Sequence, residues 1–174
     1  MAHLAQEGVP FALIGAHACA VWGYARYTAD IDILTLQSRV LEKSFWPAAL
    51  LTNLRSLRRG DDEDPLGGVV RFGSPDIDVI VGKGRLAREA VVTAVTDPVL
   101  GVPVATPLAL ALLKLEAGSL KDSADVYGLI EATRLTTGDD LASAVRDART
   151  TLSDWGLRAW DRVEQSLAEQ GPSR

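Results

Sequence analysis

The 174-residue chain predicts a mixed α+β fold of the broad α/β class: a short twisted sheet flanked by helices, followed by a helical C-terminal portion. Three observations carry that expectation. The apolar run 11–14 breaks at Gly15 and passes directly into an alanine-rich helical texture. The pattern Asp-Ile-Asp followed by apolar residues occurs twice, at 30–36 and at 76–81, which suits strands that begin polar and end buried. The last third is a series of helical stretches with start and stop signals.

Taken in order, 11–14 reads as a strand, Gly15 as its turn and 16–22 as a helix that ends at Gly23. Residues 24–29 lead into the second strand, 30–36. The segment 38–57 reads as helical with a break or restart near Ser44 and Pro47, since proline fits only a helix's first turn, and Arg58, Arg59 and Gly60 close it. An acidic stretch, 61–64, with Pro65, Gly67 and Gly68, reads as a solvated loop. Beyond it, 69–72 and 76–81 flank Gly73-Ser74-Pro75 as the arms of a hairpin. A helix is expected over 84–95 and broken extended chain over 98–105.

Thr106 before Pro107 marks an N-cap and first helical residue, with Gly118 as the stop near Ala117. Ser119 three residues ahead of Asp122 is a capping pattern for a helix reaching about Arg134. Asp139 or Asp140 would cap a third helix, 155–170 makes a fourth, and 171–174 reads as a frayed tail. The expected division is a core over 1–105 and a helical portion over 106–174 packed on it.

Composition narrows the function classes. A hydrophobic share of 47% and a charged share of 24% fit a soluble globule. The net charge of −5 argues against an extended footprint on duplex DNA, which rests on many Lys and Arg contacts to phosphate, but leaves a small nucleotide open. A single cysteine, Cys19, excludes an intramolecular disulfide and a cysteine-built metal site, and points to a reducing compartment. Neither an apolar run of about 18 residues nor a basic flank with an apolar segment is present in the sequence, so no membrane span or signal peptide is expected and cytoplasm is the default.

The chemistry concentrates at Asp30 and Asp32. Strand side chains alternate, so two acids one residue apart share a face, repel each other and call for a positive charge between them; a divalent cation is the natural candidate. Residues 26, 28, 30 and 32 share that face if the extended conformation begins by Tyr24, which would bring Arg26 alongside. The N-terminal amides after Gly15 and Ala16 would suit an anion.

The run Gly15, Gly23, Arg26, Thr28, Asp30, Asp32 resembles the signature region of the DNA polymerase beta-type nucleotidyltransferase superfamily, and within it the small stand-alone bacterial members, which include abortive-infection type toxins and antibiotic-adenylating enzymes. The likeness extends to a third acidic strand position, Asp78 or Asp76, and to a helix pair carrying Lys114, Lys121, Asp122 and Asp125, and so touches residues 11–130. One departure is Ala16, where such enzymes often carry a second glycine or a serine; any phosphate contact there must come from backbone amides.

The resemblance implies a nucleotidyltransferase-like sheet and a magnesium-dependent transfer of a nucleoside monophosphate, AMP by analogy, from a nucleoside triphosphate such as ATP to a hydroxyl acceptor: a small molecule, a protein side chain or an RNA end. It implies Asp30, Asp32 and Asp78 as catalytic and metal-binding residues, and Gly15, Ala16, Arg26 and Lys114 as residues that hold the nucleotide. Asp78 is preferred to Asp76, which directly follows Pro75 at the turn. A protein partner or a homodimer is compatible with the likeness, as is a toxin–antitoxin or phage-defence setting.

Plainer readings stand beside each of these. The paired aspartates would also suit a solvent-facing edge, Asp76 and Asp78 an acidic hairpin, and Gly15 a tight turn alone. Arg26 would serve equally as a structural partner of the aspartates, and Lys121, Asp122 and Asp125 as helix caps and surface charges. Thr28 reads as a strand residue, His17 as a satisfied histidine, and Trp155 and Trp160 as packing residues. A haloacid dehalogenase-like phosphatase is disfavoured because its apolar strand should precede the first aspartate. The main alternative is an inactive nucleotidyltransferase-like binding module.

Overall fold

The computed structural model describes residues 1–62, 64 and 66–170, the side chain of residue 170 excepted. Glu63 and Pro65 of the acidic loop and the tail 171–174 lie outside the described residues. The chain divides into two units, one of residues 1–18 and 26–106 and one of residues 19–25 and 107–174.

The first unit is built on a seven-stranded mixed sheet of order β3-β4-β5-β2-β1-β7-β6. Its strands are β1 (Phe11–Ile14), β2 (Ile31–Thr35), β3 (Leu54–Arg59), β4 (Leu66–Phe72), β5 (Ile77–Gly82), β6 (Val95–Thr96) and β7 (Pro103–Val104). β1 and β2 run antiparallel, β2 and β5 parallel, and β4 antiparallel to both β3 and β5. The expected hairpin is present, and Phe72 and Ile77 close it as register partners.

Register sorts the side chains into two faces. Ile33, Val79, Val70 and Leu57 line up across four strands, flanked by Ile77 and Phe72. This face packs on Leu4 of α1 (Ala2–Gln6), on Val40 and Leu41 of the short 3₁₀ turn at Ser38–Leu41, and on Trp46. Trp46 meets Phe72 edge-on with centroids 4.9 Å apart and donates its indole N–H to Val40 at 2.8 Å, so a large ring is buried without stranding its polar atom. Each such side chain contributes roughly 1.5–3 kcal/mol by leaving water, which pins the register of the whole sheet. The opposite face carries Ala12, Leu34 and Ile80 in one row and Asp32, Asp78 and Arg71 in the next. α4 (Gly84–Val92) contacts β1 and β2. The absent side chain of Gly82 leaves room for Ala87 and Leu34.

One expectation is corrected here. The segment read as a helix over 38–57 is two 3₁₀ turns, the single turn α3 (Ala48–Leu51) and the edge strand β3. Leu54, Leu57, Arg55 and Arg58 are good helix formers at helical spacing, but pairing with β4 overrides that weak local preference. The extended chain over 98–105 contains strand β7, paired with β1 at Leu13 and Val104 and with β6.

The second unit is helical: α5 (Pro107–Ala117), α6 (Leu120–Thr136), α7 (Leu141–Ala148) and α8 (Asp154–Gln170). The caps fall where the sequence places them. Ser119 Oγ accepts from the amide of Asp122 at 3.1 Å and Asp140 from that of Ser143 at 2.9 Å, while Gly118 ends α5 with φ +70°. Leu110, Leu112, Leu115, Val126, Leu129, Val145 and Trp160 are fully buried. Trp155, in contrast, is half exposed and lies against Gly118, where a Cβ would collide with its ring. Residues 19–25 belong to this unit, with Tyr24 packed against Gly128 of α6. The boundary between the units therefore falls inside α2 (Gly15–Val21).

Candidate functional site

Asp32 and Asp78 are register partners on the parallel strands β2 and β5, so their carboxylates leave the same face of the sheet from chains about 4.8 Å apart. Two like charges at roughly 5 Å cost on the order of 3 kcal/mol at an effective dielectric of about 20. Asp78 has a counter-charge on one side: Arg71 is its register partner on β4 and donates Nε–H to Oδ2 at 3.0 Å. On the other side, Asp32 lies over the β1–α2 turn. Gly15 there has φ +70°, and a Cβ on it would stand 2.0 Å from Asp32 Oδ2. Both the backbone conformation and the space therefore require glycine. The turn residue is the one that lets the Asp32 carboxylate lie where it does.

Two carboxylates at one register of adjacent strands are the hard oxygen donors that a divalent cation such as magnesium takes. Among the described residues no group of three His, Cys, Asp or Glu side chains stands close enough to hold a metal ion.

Asp30 is exposed and precedes β2 rather than opening it. The expected shared face of 26, 28, 30 and 32 is corrected with it. β1 ends at Ile14 and β5 begins at Ile77, so the ladder has no partner for 24–29, and these residues form no strand. Arg26 donates to the carbonyl of Tyr27 at 3.3 Å and has further contacts. Asp76 sits in the hairpin turn, not in a strand. Its carbonyl accepts from Ile31 N–H at 3.0 Å, and Arg55 Nη1 lies 2.7 Å from its Oδ1 as an ion pair without hydrogen-bond alignment. Asp78 is thus level with Asp32 and Asp76 is not. Ala16 is buried in α2, a helix of only seven residues with a correspondingly small dipole.

In the helical unit, Lys114 Nζ stands 2.7 Å from Asp125 Oδ2 and 3.5 Å from Asp122 Oδ1. Burial pushes its ammonium down, but the hydrogen bond to Asp125 and the fields of Cys19, Asp125 and Asp122 outweigh that and hold its pKa above the ordinary lysine value. Three of the four residues of the expected helix pair are thereby drawn together, and Lys121 is exposed. Here Lys114 is the centre of an ion network within its own unit.

Sequence reading missed Arg55 and Arg71 altogether. Arg55 belongs to the strand read as helix, at an irregularity in the β3–β4 register, and Gly73 leaves the space through which its guanidinium reaches Asp76. A usable signal was present in Arg71-Phe72 and Asp76-Ile77-Asp78, since a hairpin closing at 72 and 77 puts residues 71 and 78 opposite each other.

No protein-family model and no curated protein matches the chain. Among solved structures, the solution structure of antibiotic-resistance factor ANT(2'')-Ia superposes with a TM-score of 0.52 at 14% identity, covering 86% of this chain and 89% of that one. The crystal structure of ANT(2'')-Ia in complex with adenylyl-2''-tobramycin gives 0.52 and 14%, over 85% and 93%. A candidate nucleotidyltransferase of H. pylori reaches only 0.43 at 18% identity, over 95% and 92%. The first two establish a nucleotidyltransferase-type fold.

Proposed function

We propose that this protein is a nucleotidyltransferase that moves a nucleoside monophosphate, AMP in the first instance, from a nucleoside triphosphate to a hydroxyl acceptor. The observation that carries the reading is the Asp32–Asp78 pair at one register of adjacent parallel strands, beside a glycine whose missing side chain accommodates Asp32. The fold shared with ANT(2'')-Ia, which has been crystallised with an adenylylated antibiotic, is consistent with it.

Asp32 and Asp78 would hold magnesium, with Asp30 joining from the preceding turn. Magnesium supplies charge neutralisation at the phosphates and lowers the proton affinity of the attacking hydroxyl. The residues of the chain orient the partners: Gly15 leaves room for the Asp32 carboxylate over the turn, and Arg71 donates to one oxygen of Asp78. In the transfer, the acceptor oxygen bonds to the α-phosphorus. The bond from that phosphorus to its β-bridging oxygen breaks, pyrophosphate leaves with the electron pair, and the acceptor proton passes to water. Arg26 is an additional candidate for the triphosphate.

The test is to incubate the purified chain with each α-³²P-labelled nucleoside triphosphate, magnesium and cell lysate, and to ask whether label moves to protein, RNA or small molecules. Transfer by the wild type and none by the Asp30→Asn, Asp32→Asn double variant is expected. No transfer from any triphosphate would instead favour an inactive binding module.

A further inference from the structure

The side of the acid pair away from Asp32 is lined by arginines. Arg71 presents its guanidinium on the same sheet face as Asp32 and Asp78, uses only Nε on Asp78, and is 59% exposed. Arg55 reaches the hairpin turn through the gap at Gly73, contacts Asp76 through Nη1 alone and is 61% exposed. Arg58 shares the Arg71 face one row further along, where it pairs with Asp64 at 3.0 Å. Among the described residues, the two Nη groups of Arg71 and the Nη2 of Arg55 have no hydrogen-bond partner.

Resting on the nucleotidyl-transfer reading, we infer that the hydroxyl acceptor is a small anion, carrying a phosphate or carboxylate beside the reacting hydroxyl, and that Arg71 and Arg55 bind that group. Guanidinium forks match planar or tetrahedral oxyanions through two parallel N–H donors, and free forks at the edge of a site are suited to that recognition. Charge strengthens the case. Any cation taken up by Asp78 draws on the carboxylate that now balances Arg71, and leaves the guanidinium seeking a second anion. The overall charge of −5 favours a single anionic group over a long polyanion.

The inference is tested on the full chain by calorimetric titration with ribose 5-phosphate, ribose and glucosamine, in magnesium and saturating α,β-methylene-ATP so that the triphosphate site is filled. Ribose 5-phosphate is expected to bind at least about tenfold more tightly than ribose or glucosamine, and to lose that margin in Arg71→Ala and in Arg55→Ala, with Arg71→Lys recovering part of it. The analogue should bind Arg55→Ala within a few-fold of wild type, and urea midpoints near wild type report that all three variants are folded. If the analogue binds but ribose 5-phosphate shows no advantage, or keeps its advantage in both alanine variants, the anionic acceptor is wrong and the transfer reading stands. If the analogue itself fails to bind wild type, both fall.

Discussion

Lys114 is a buried cation with carboxylates on two sides, whereas Asp32 and Asp78 are partly exposed carboxylates with one exposed guanidinium beside them. The lysine network is complete, since Asp125 is 2% exposed and answers the one charge buried with it. The sheet cluster instead sets two carboxylates at one register of adjacent strands, open in part to solvent, with Arg71 paired to Asp78. A buried ion network holds a fold together, whereas partly exposed carboxylates at one register are open to a ligand. Both were candidates for the same chemistry on sequence grounds, and they differ in burial.

The contrast predicts different consequences for removing a charge. Lys114→Met strands Asp125 in the helical unit and should cost about 3–5 kcal/mol, read as a lower urea midpoint; replacing Asp125 by Leu as well should recover most of it. Gly15→Ala forces a left-handed backbone on alanine and pushes a methyl group into Asp32. The expected loss is about 1–3 kcal/mol by the same assay, together with weaker triphosphate binding. Asp78→Asn removes a repulsion and an exposed ion pair at once, so its midpoint should shift by less than about 1 kcal/mol.

A pH series reports on the lysine network. Because the folded-state pKa of Lys114 is raised, its contribution is fully present below the unfolded value of 10.5 and is lost as pH climbs through the higher folded value. Wild type should therefore lose stability relative to Lys114→Met only above about pH 10.5, measured as the difference in urea midpoints across pH 8–11.5.

What could be read from sequence was mostly local. Thr106-Pro107, Ser119 with Asp122, Asp140 and Gly118 mark helix ends because a cap is a contact between residues a few positions apart. The strand at 11–14, its glycine turn and the hairpin about Gly73 are likewise short-range patterns. Strand β3 was not legible: Leu-Arg-Ser-Leu-Arg-Arg fits a helix as well as a strand, and only β4, a dozen residues on, settles it. The site follows the same rule. Asp32 and Gly15 stood out as residues, yet that the carboxylate lies over the glycine, that Asp78 rather than Asp76 is its neighbour, and that two arginines border the pair all depend on register between distant segments. Asp30 was read into the strand because the repeated Asp-Ile-Asp pattern is symmetric, whereas the ladder begins one residue later for want of a partner.

The most direct test is the binding of α,β-methylene-ATP to wild type with magnesium and with EDTA, followed by calorimetry, alongside Asp32→Asn. Binding in magnesium that disappears in EDTA, and that weakens by more than about 100-fold in Asp32→Asn while the urea midpoint stays near wild type, is the result expected of a carboxylate pair built to hold a cation. Binding that ignores both the magnesium and the substitution would contradict it.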